Sequence, residues 1–163
     1  MADIKLDISK METLLKFLKG GMPSIKVGIM GQKNKRDKGI PTNAEIGFVN
    51  EFGKMTGYPR IPARSFIRVP LQFHFYEKLL SKKSLSQKEF EKAVKEGKAD
   101  KFAEKVGLVA EETIQEAFAT RGYGEWRPNA QKTIEQKGSD SPLIDTGQLR
   151  RSITSKVIKG NEK

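Results

Sequence analysis

Few side chains in this sequence have the type and spacing that catalysis or metal binding requires. The sequence contains one histidine, His74, and no cysteine. A Ser-His-Asp arrangement would have to use that single imidazole, and the usual zinc clusters of cysteine and histidine are excluded. His74 lies beside Phe73 and Phe75 in a helical pattern, which is typical of a packing or surface residue. Carboxylates alone would suit only Mg²⁺ or Ca²⁺, so no metal site is predicted.

The acidic and glycine-rich motifs supply no catalytic site either. Glu111 and Glu112 are adjacent in a predicted helix, where neighbouring side chains point about 100° apart and cannot share a proton. The stretch 122–124 has half of a dinucleotide-binding glycine pattern, but it follows a predicted helix instead of a strand. The sequence contains no phosphate-binding loop and no nucleophile elbow. We therefore expect a protein that is not an enzyme and that uses no cofactor.

Positive charge is the strongest compositional signal. Lys and Arg outnumber Asp and Glu by 31 to 20, which gives a formal charge of +11 at pH 7. Such a field attracts nucleic acid, an acidic protein or an anionic membrane surface. Most basic residues alternate with acidic ones along predicted helices, as on a solvated face. The exception is the loop 32–39, expected to be mobile, whose candidate contacts to DNA or to an acidic partner are Lys33, Lys35, Arg36 and Lys38.

The elements that position these residues are predicted from periodicity and capping. Apolar residues at three- and four-residue steps predict an N-terminal helix within 1–22 and a long helix over about 100–120. Capping boxes at 42–45 and 86–89 begin two further helices. Alternating apolar residues predict a strand near 25–29 and a closing strand at 153–158. The sum is one α+β domain, 1–163, in which a small antiparallel or mixed sheet packs against several helices.

A glycine- and proline-rich arm is predicted over 54–70. We expect it to be extended, with at most a short edge strand near 65–68, and to lead into a helix whose first turn contains Pro70. The arm either lies across a neighbouring subunit or closes an edge of its own domain, and the sequence leaves both open. No apolar run approaches the ~20 residues that cross a bilayer, and the N-terminus lacks a secretion signal.

The C-terminal segment 126–158 is predicted to form a short helix, a corner and the closing strand. We expect Asp145 to cap a short helix at the corner, Gly147 to allow close backbone approach, and Leu149 to insert into the core with Ile153. Trp126 is interpreted as a core residue whose indole N–H finds a buried acceptor. The alternative for Trp126, and for Tyr58, is a stacking platform for nucleic-acid bases.

Two stretches are similar to motifs of one protein family. The first, 43–68, contains Asn-Glu-Phe-Gly followed by Ile-Pro-Ala-Arg-Ser-Phe. The second, 126–153, contains Trp-Arg-Pro followed by Pro-Leu-Ile-Asp-Thr-Gly-Gln-Leu-Arg-Arg-Ser-Ile. In this order they resemble the neck and tail-completion family of tailed bacteriophages, also labelled virion-morphogenesis proteins. Ser65 and Asn129 stand where the family commonly has proline and leucine.

The resemblance implies a structural virion protein of the head-tail connector, made in the host cytoplasm and located in the neck or tail region. Family members form rings that join the head or portal complex to the tail tube. The implied partners are other copies of the chain, head-closure or portal-side proteins, and tail tube or tail terminator proteins. The implied candidate contacts are Asn50, Glu51, Phe52, Gly53, Tyr58, Pro59, Arg60, Ile61, Pro62, Arg64, Phe66, Asp145, Thr146, Gly147, Leu149 and Arg150.

Two questions remain open at this point. The basic loop 32–39 faces either an acidic partner ring or DNA in the lumen of the connector. The alternative function is that of a small basic nucleic-acid-binding protein, which would bind DNA tightly and lose affinity steeply with salt.

Overall fold

The two ends of the described chain meet in a two-stranded antiparallel sheet. Strand β1 (Ser24–Ile29) pairs with strand β2 (Ile153–Ile158), so that Ile29 lies opposite Ile153. Both strands were predicted from the alternation of apolar residues. The described residues form this sheet and seven α-helices, which confirms the predicted α+β class.

The computed structural model describes residues 21–36, 41–57 and 60–160, and before them only the helical positions Glu12, Leu15 and Lys19. The remainder of the predicted N-terminal helix lies outside the described residues. So do Lys38 of the basic loop and Tyr58 and Pro59 of the arm.

The helices follow the predicted order along the chain. They are α1 (Asn43–Phe52), α2 (Arg68–Phe73), α3 (Phe75–Ser81), α4 (Gln87–Lys95), α5 (Ala99–Ala119), α6 (Gln131–Lys137) and α7 (Gln148–Arg151), with 3-10 turns at Gly31–Asn34 and Lys83–Leu85. Helix α5 is the predicted long helix, and its ends fall within one residue of the expected 100–120. Among the described helices, none is long and apolar enough to cross a membrane.

Helix α5 packs against the sheet and supplies the centre of the core. Its Ile114 and Phe118 are buried together with Phe66, Leu149 and Ile153. The rings of Phe66 and Phe118 lie 5.2 Å apart between centroids. The predicted insertion of Leu149 and Ile153 into the core is therefore confirmed, and the core connects the end of the arm to the C-terminal corner.

Three local predictions are wrong, and a fourth holds only in part: of the capping box predicted at 86–89, only the bond from the N–H of Glu89 to the hydroxyl of Ser86 forms among the described residues. The three are as follows. The edge strand expected near 65–68 is instead the turn into α2. The helix expected from Pro70 onward is interrupted at His74, whose ring stacks on Tyr123 with centroids 3.6 Å apart. Helix α7 is capped by Gly147, at φ 72°, and not by Asp145, and no side-chain capping bond is formed. At His74 a break in the helix replaces the continuous helix that the apolar pattern predicted. At Gly147 a left-handed residue replaces the predicted side-chain cap.

Candidate interaction groove

The two family-like stretches line one open groove. The first stretch contributes α1 and the arm, for example Asn50 and Arg64. The second stretch contributes residues 127–130 and the corner 143–149. The groove has a volume of about 810 Å³, which is within the range of protein pockets that hold ligands. Segments separated by about 60 residues of sequence are thus brought to one place, and this groove is the candidate functional site.

Glu51 fixes the arm to the end of α1. Its buried carboxylate accepts hydrogen bonds from the backbone N–H groups of Phe66 at 2.8 Å and of Ile67 and Arg68 at 3.0 Å. The hydroxyl of Ser65 donates to the same carboxylate. These are N–H groups at the start of α2, so Glu51 acts as an acidic cap supplied from an earlier helix. A single carboxylate thereby positions the arm side of the groove.

The arm folds back on its own domain. The backbone N–H groups of Lys54 and Ile61 donate to each other's carbonyls at 2.8 and 2.9 Å. Gly53, at φ 78°, permits this return, because a Cβ there would lie 2.8 Å from the backbone nitrogen of Ala63. Within the single chain the arm is therefore paired with itself, and its docking across a neighbouring subunit stays a prediction.

Arg64 connects the arm to the second stretch. Only 7% of the residue is exposed, and its Nε and Nη2 donate to the carbonyls of Arg127 and Pro128, each at 3.0 Å. Burial lowers the pKa of this guanidinium from its ordinary value. These bonds use two of its five N–H donors, and among the described residues no carboxylate forms an ion pair with it.

The groove is strongly cationic. The charged residues that line it are Arg36, Arg60, Arg64, Arg127, Lys137 and Asp145, five cations against one acid. The ammonium of Lys137 donates to the carbonyl of Ile144 at 3.2 Å, and Arg36 donates to the side-chain oxygen of Asn43 at 3.0 Å. Within the part of the chain that the structure describes, the five cations form no ion pair.

The basic loop was predicted to be mobile, but its described half is held against α1 by hydrogen bonds. The side-chain amide of Asn43 is buried and donates to the carbonyl of Lys33 at 2.9 Å. The side-chain oxygen of Asn34 accepts from the backbone N–H of Ala44 at 2.7 Å. The side chains of Lys33 and Lys35 remain exposed, so the predicted cationic face persists on an ordered support.

Three large apolar side chains on α1 and just after its end are exposed, and we call them the rim cluster: Phe48, Phe52 and Met55. They are 66%, 55% and 71% exposed, respectively. The rings of Phe48 and Phe52 lie 4.9 Å apart, and Met55 also lines the groove. Apolar surface concentrated in this way is typical of an interaction site.

Several predicted contacts lie inside the domain. Phe66 and Leu149 belong to the core, and Glu51 is occupied by its own hydrogen bonds. We correct their assignment from contacts to internal supports of the groove. The exposed members of the predicted set are Phe52, Arg60, Asp145 and Thr146, and the half-buried members are Asn50, Gly53, Ile61, Pro62, Gly147 and Arg150.

Trp126 supports the core, as interpreted from its sequence context. Its indole N–H donates to the carbonyl of Ser65 at 3.3 Å, and its ring meets that of Phe118 edge-on at 5.8 Å. The side chain thereby connects the two family-like stretches. Because its donor and ring have internal partners, its role as a stacking platform is not supported.

Among the groove residues that sequence reasoning missed, three contribute distinctive features. Arg127 and Lys137 contribute charge, and Leu143 adopts a left-handed backbone with φ 60°, which is unusual for a bulky residue. Asparagine at position 129, where leucine is common in the family that the sequence resembles, has a structural explanation. The side-chain amide of Asn129 donates to the carbonyls of Asp140 and Ser141 at 3.2 Å each. The left-handed Leu143 has no local sequence signal, whereas Arg127 was visible within the Trp-Arg-Pro motif.

Comparison of the chain with protein-family models, with curated proteins and with solved structures gave no match. The groove is therefore interpreted from its own geometry and from the motif resemblance described above.

Proposed function

We propose that this protein is a structural, non-enzymatic subunit of the head-tail connector of a tailed bacteriophage. In this proposal it assembles into a ring in the neck of the virion, and the ring joins the head or portal complex to the tail tube. Two features support the proposal: the motifs that resemble the neck and tail-completion family, and the convergence of both motif stretches on one groove. The observation that carries it is the exposed rim cluster within the first of those stretches.

The rim cluster suits contact with a second copy of the chain. Burying a large apolar side chain contributes about 1.5–3 kcal/mol, so three such side chains supply a substantial driving force for association. A ring requires a second, different patch on each subunit. Exposed apolar residues at three- and four-residue steps on α2 and α3 provide one, and they are Phe73, Tyr76 and Leu80.

The ring is tested by native mass spectrometry and negative-stain electron microscopy of the purified chain. We expect closed oligomers for the wild type and monomers for the double variant Phe48→Ser/Phe52→Ser. The matched control is Met22→Ser/Leu108→Ser, since both residues are exposed apolar positions outside the two patches. The control is expected to retain the oligomer, and all three proteins should share one circular dichroism spectrum.

Location in the virion is tested separately by immunogold labelling of assembled particles. Label at the neck supports the connector assignment. Label confined to the capsid shell or the tail tip, or absence of the chain from purified particles, contradicts it.

Nucleic-acid binding is the second candidate function. The observation that favours it is the exposure of Lys33 and Lys35 next to Arg36 on the ordered part of the loop. Replacing Lys33, Lys35, Arg36 and Lys38 by Ala should then reduce the salt dependence of duplex DNA binding by about one unit of slope per lost phosphate contact. Unchanged DNA affinity in this variant would remove the loop from this role.

A further inference from the structure

The groove holds more positive charge than the chain itself neutralises. Arg60 and Arg127 are exposed, and no ion pair or hydrogen bond of their side chains occurs among the described residues. Arg64 lies deeper and bonds only to backbone carbonyls. Guanidinium groups in such positions favour carboxylates, which accept two parallel N–H bonds from one arginine.

We propose that this groove binds an extended acidic segment of a different protein, with the carboxylates of that segment paired to Arg60, Arg64 and Arg127. The inference rests on the proposed function, because it names the kind of partner that the connector subunit holds in this site. Its test uses the isolated chain and does not require a ring.

The lining of the groove favours a peptide over nucleic acid. Between the cations lie aliphatic side chains and prolines, among them Ile61, Pro62 and Leu143. The described lining residues include no aromatic side chain, whereas single-stranded nucleic acid is held chiefly by aromatic stacking together with positive charge. A peptide in which acidic residues alternate with aliphatic ones matches both the cations and the apolar side chains of this surface.

The charge of the whole chain favours a different protein over a second copy. At +11, each copy repels another at long range. An acidic partner is attracted by the same field that opposes self-docking into the groove.

The test measures fluorescence anisotropy of a labelled synthetic peptide that repeats Glu-Val-Pro, since proline keeps the peptide extended. The comparison peptide repeats Gln-Val-Pro, and a labelled oligothymidylate provides the nucleic-acid arm. The groove variant is Arg60→Glu/Arg127→Glu. Its matched control is Lys26→Glu/Lys156→Glu, which makes the same change in net charge at two exposed, paired positions of the sheet.

We expect the groove variant to bind the Glu-Val-Pro peptide at least ~10-fold more weakly than the wild type, and the sheet control to remain within ~2-fold. The Gln-Val-Pro peptide should also bind ~10-fold more weakly. The inference is overturned if both variants weaken binding equally, if the two peptides bind alike, or if oligothymidylate binds more tightly and depends on the same two arginines. Unchanged melting temperatures in both variants exclude misfolding as the cause.

Native mass spectrometry of the same variants separates this inference from the proposed function. Groove-specific peptide binding by a chain that forms no ring leaves the inference standing and contradicts the connector assignment. Ring assembly by a chain without groove-specific binding supports the connector assignment and overturns the inference.

Discussion

Two charged surfaces of this molecule are organised in opposite ways. On the surface between α3 and α5, Lys78 lies 2.7 Å from Glu116 and 3.4 Å from Glu112, and Lys82 lies 3.1 Å from Glu112. In the groove, Arg64 has backbone carbonyls as its partners, and Arg127 has no ion pair among the described residues. One surface neutralises itself within the chain, and the other leaves its positive charge unpaired.

The difference separates a surface whose charges are neutralised within the chain from a surface that keeps its charge, as the proposed binding of an acidic segment requires. Exposed ion pairs contribute little to stability, about 0–1 kcal/mol each, but they remove the field that would attract another molecule. The unpaired cations of the groove keep that field. The arm side of the groove is also held from two directions, by the carboxylate of Glu51 and by the indole N–H of Trp126.

Removing Glu51 is expected to have the largest effect. Glu51→Ala removes a buried carboxylate and leaves three backbone N–H groups at the start of α2, one of them buried, without their acceptor, at a cost of about 4 kcal/mol in the free energy of unfolding. Urea unfolding followed by circular dichroism measures this cost. Glu51→Gln keeps an oxygen acceptor and should lose about half as much, and a loss below ~1 kcal/mol in the alanine variant would contradict the capping role.

Adding a methyl group at Gly122 is expected to have the next largest effect. A Cβ at this position would overlap the indole ring of Trp126, and φ is 70°. Gly122→Ala should therefore destabilise the protein by about 3 kcal/mol and alter the emission of its one tryptophan. Gly124→Ala is the matched control, because φ is 87° there but the space is open. It should cost only about 1 kcal/mol and leave the emission unchanged.

Elements with local causes were predictable from the sequence. The box of Thr42 and Glu45 forms both of its hydrogen bonds, at 2.8 and 3.3 Å. The strands follow the period-two pattern, and α5 follows the helical one. In each case the residues that determine the element lie within it, so tertiary contacts did not change the predicted structure.

Elements with distant causes were not predictable in this way. Glu51 caps a helix whose N–H groups lie up to 17 residues later, and the interruption at His74 coincides with stacking on Tyr123. For the candidate site, residues of both stretches named by the resemblance line the groove, but spacing alone did not distinguish the buried Phe66 from the exposed Phe52. The groove arises only where the two stretches meet, which no local pattern encodes.

Replacing Arg64 distinguishes a structural cation from a binding cation. Arg64→Met keeps an extended apolar stem, and the carbonyls of Arg127 and Pro128 belong to exposed residues that water can reach. We expect a change in unfolding free energy of no more than about 1 kcal/mol, together with a ~10-fold loss of affinity for the Glu-Val-Pro peptide. A stability loss as large as that of Glu51→Ala, measured by the same urea unfolding, would instead assign Arg64 to the internal supports of the groove.

The smallest effect is expected at alkaline pH, on the self-neutralised surface. Desolvation and the neighbouring carboxylate of Glu116 raise the pKa of Tyr123 to about 12. Its ordinary value is 10.0, so the unfolded chain releases this proton first. The contribution of Tyr123 to stability is therefore complete below pH 10 and is lost as the pH rises toward 12. The Tyr123→Phe variant lacks this titration. Subtracting its melting temperatures from those of the wild type at each pH therefore removes the effect of the lysines, which ionise in both proteins. The melting temperature of the wild type should exceed that of Tyr123→Phe by less and less as the pH rises from 10 to 12. A constant difference would show that the phenol is solvated and lies outside the influence of Glu116.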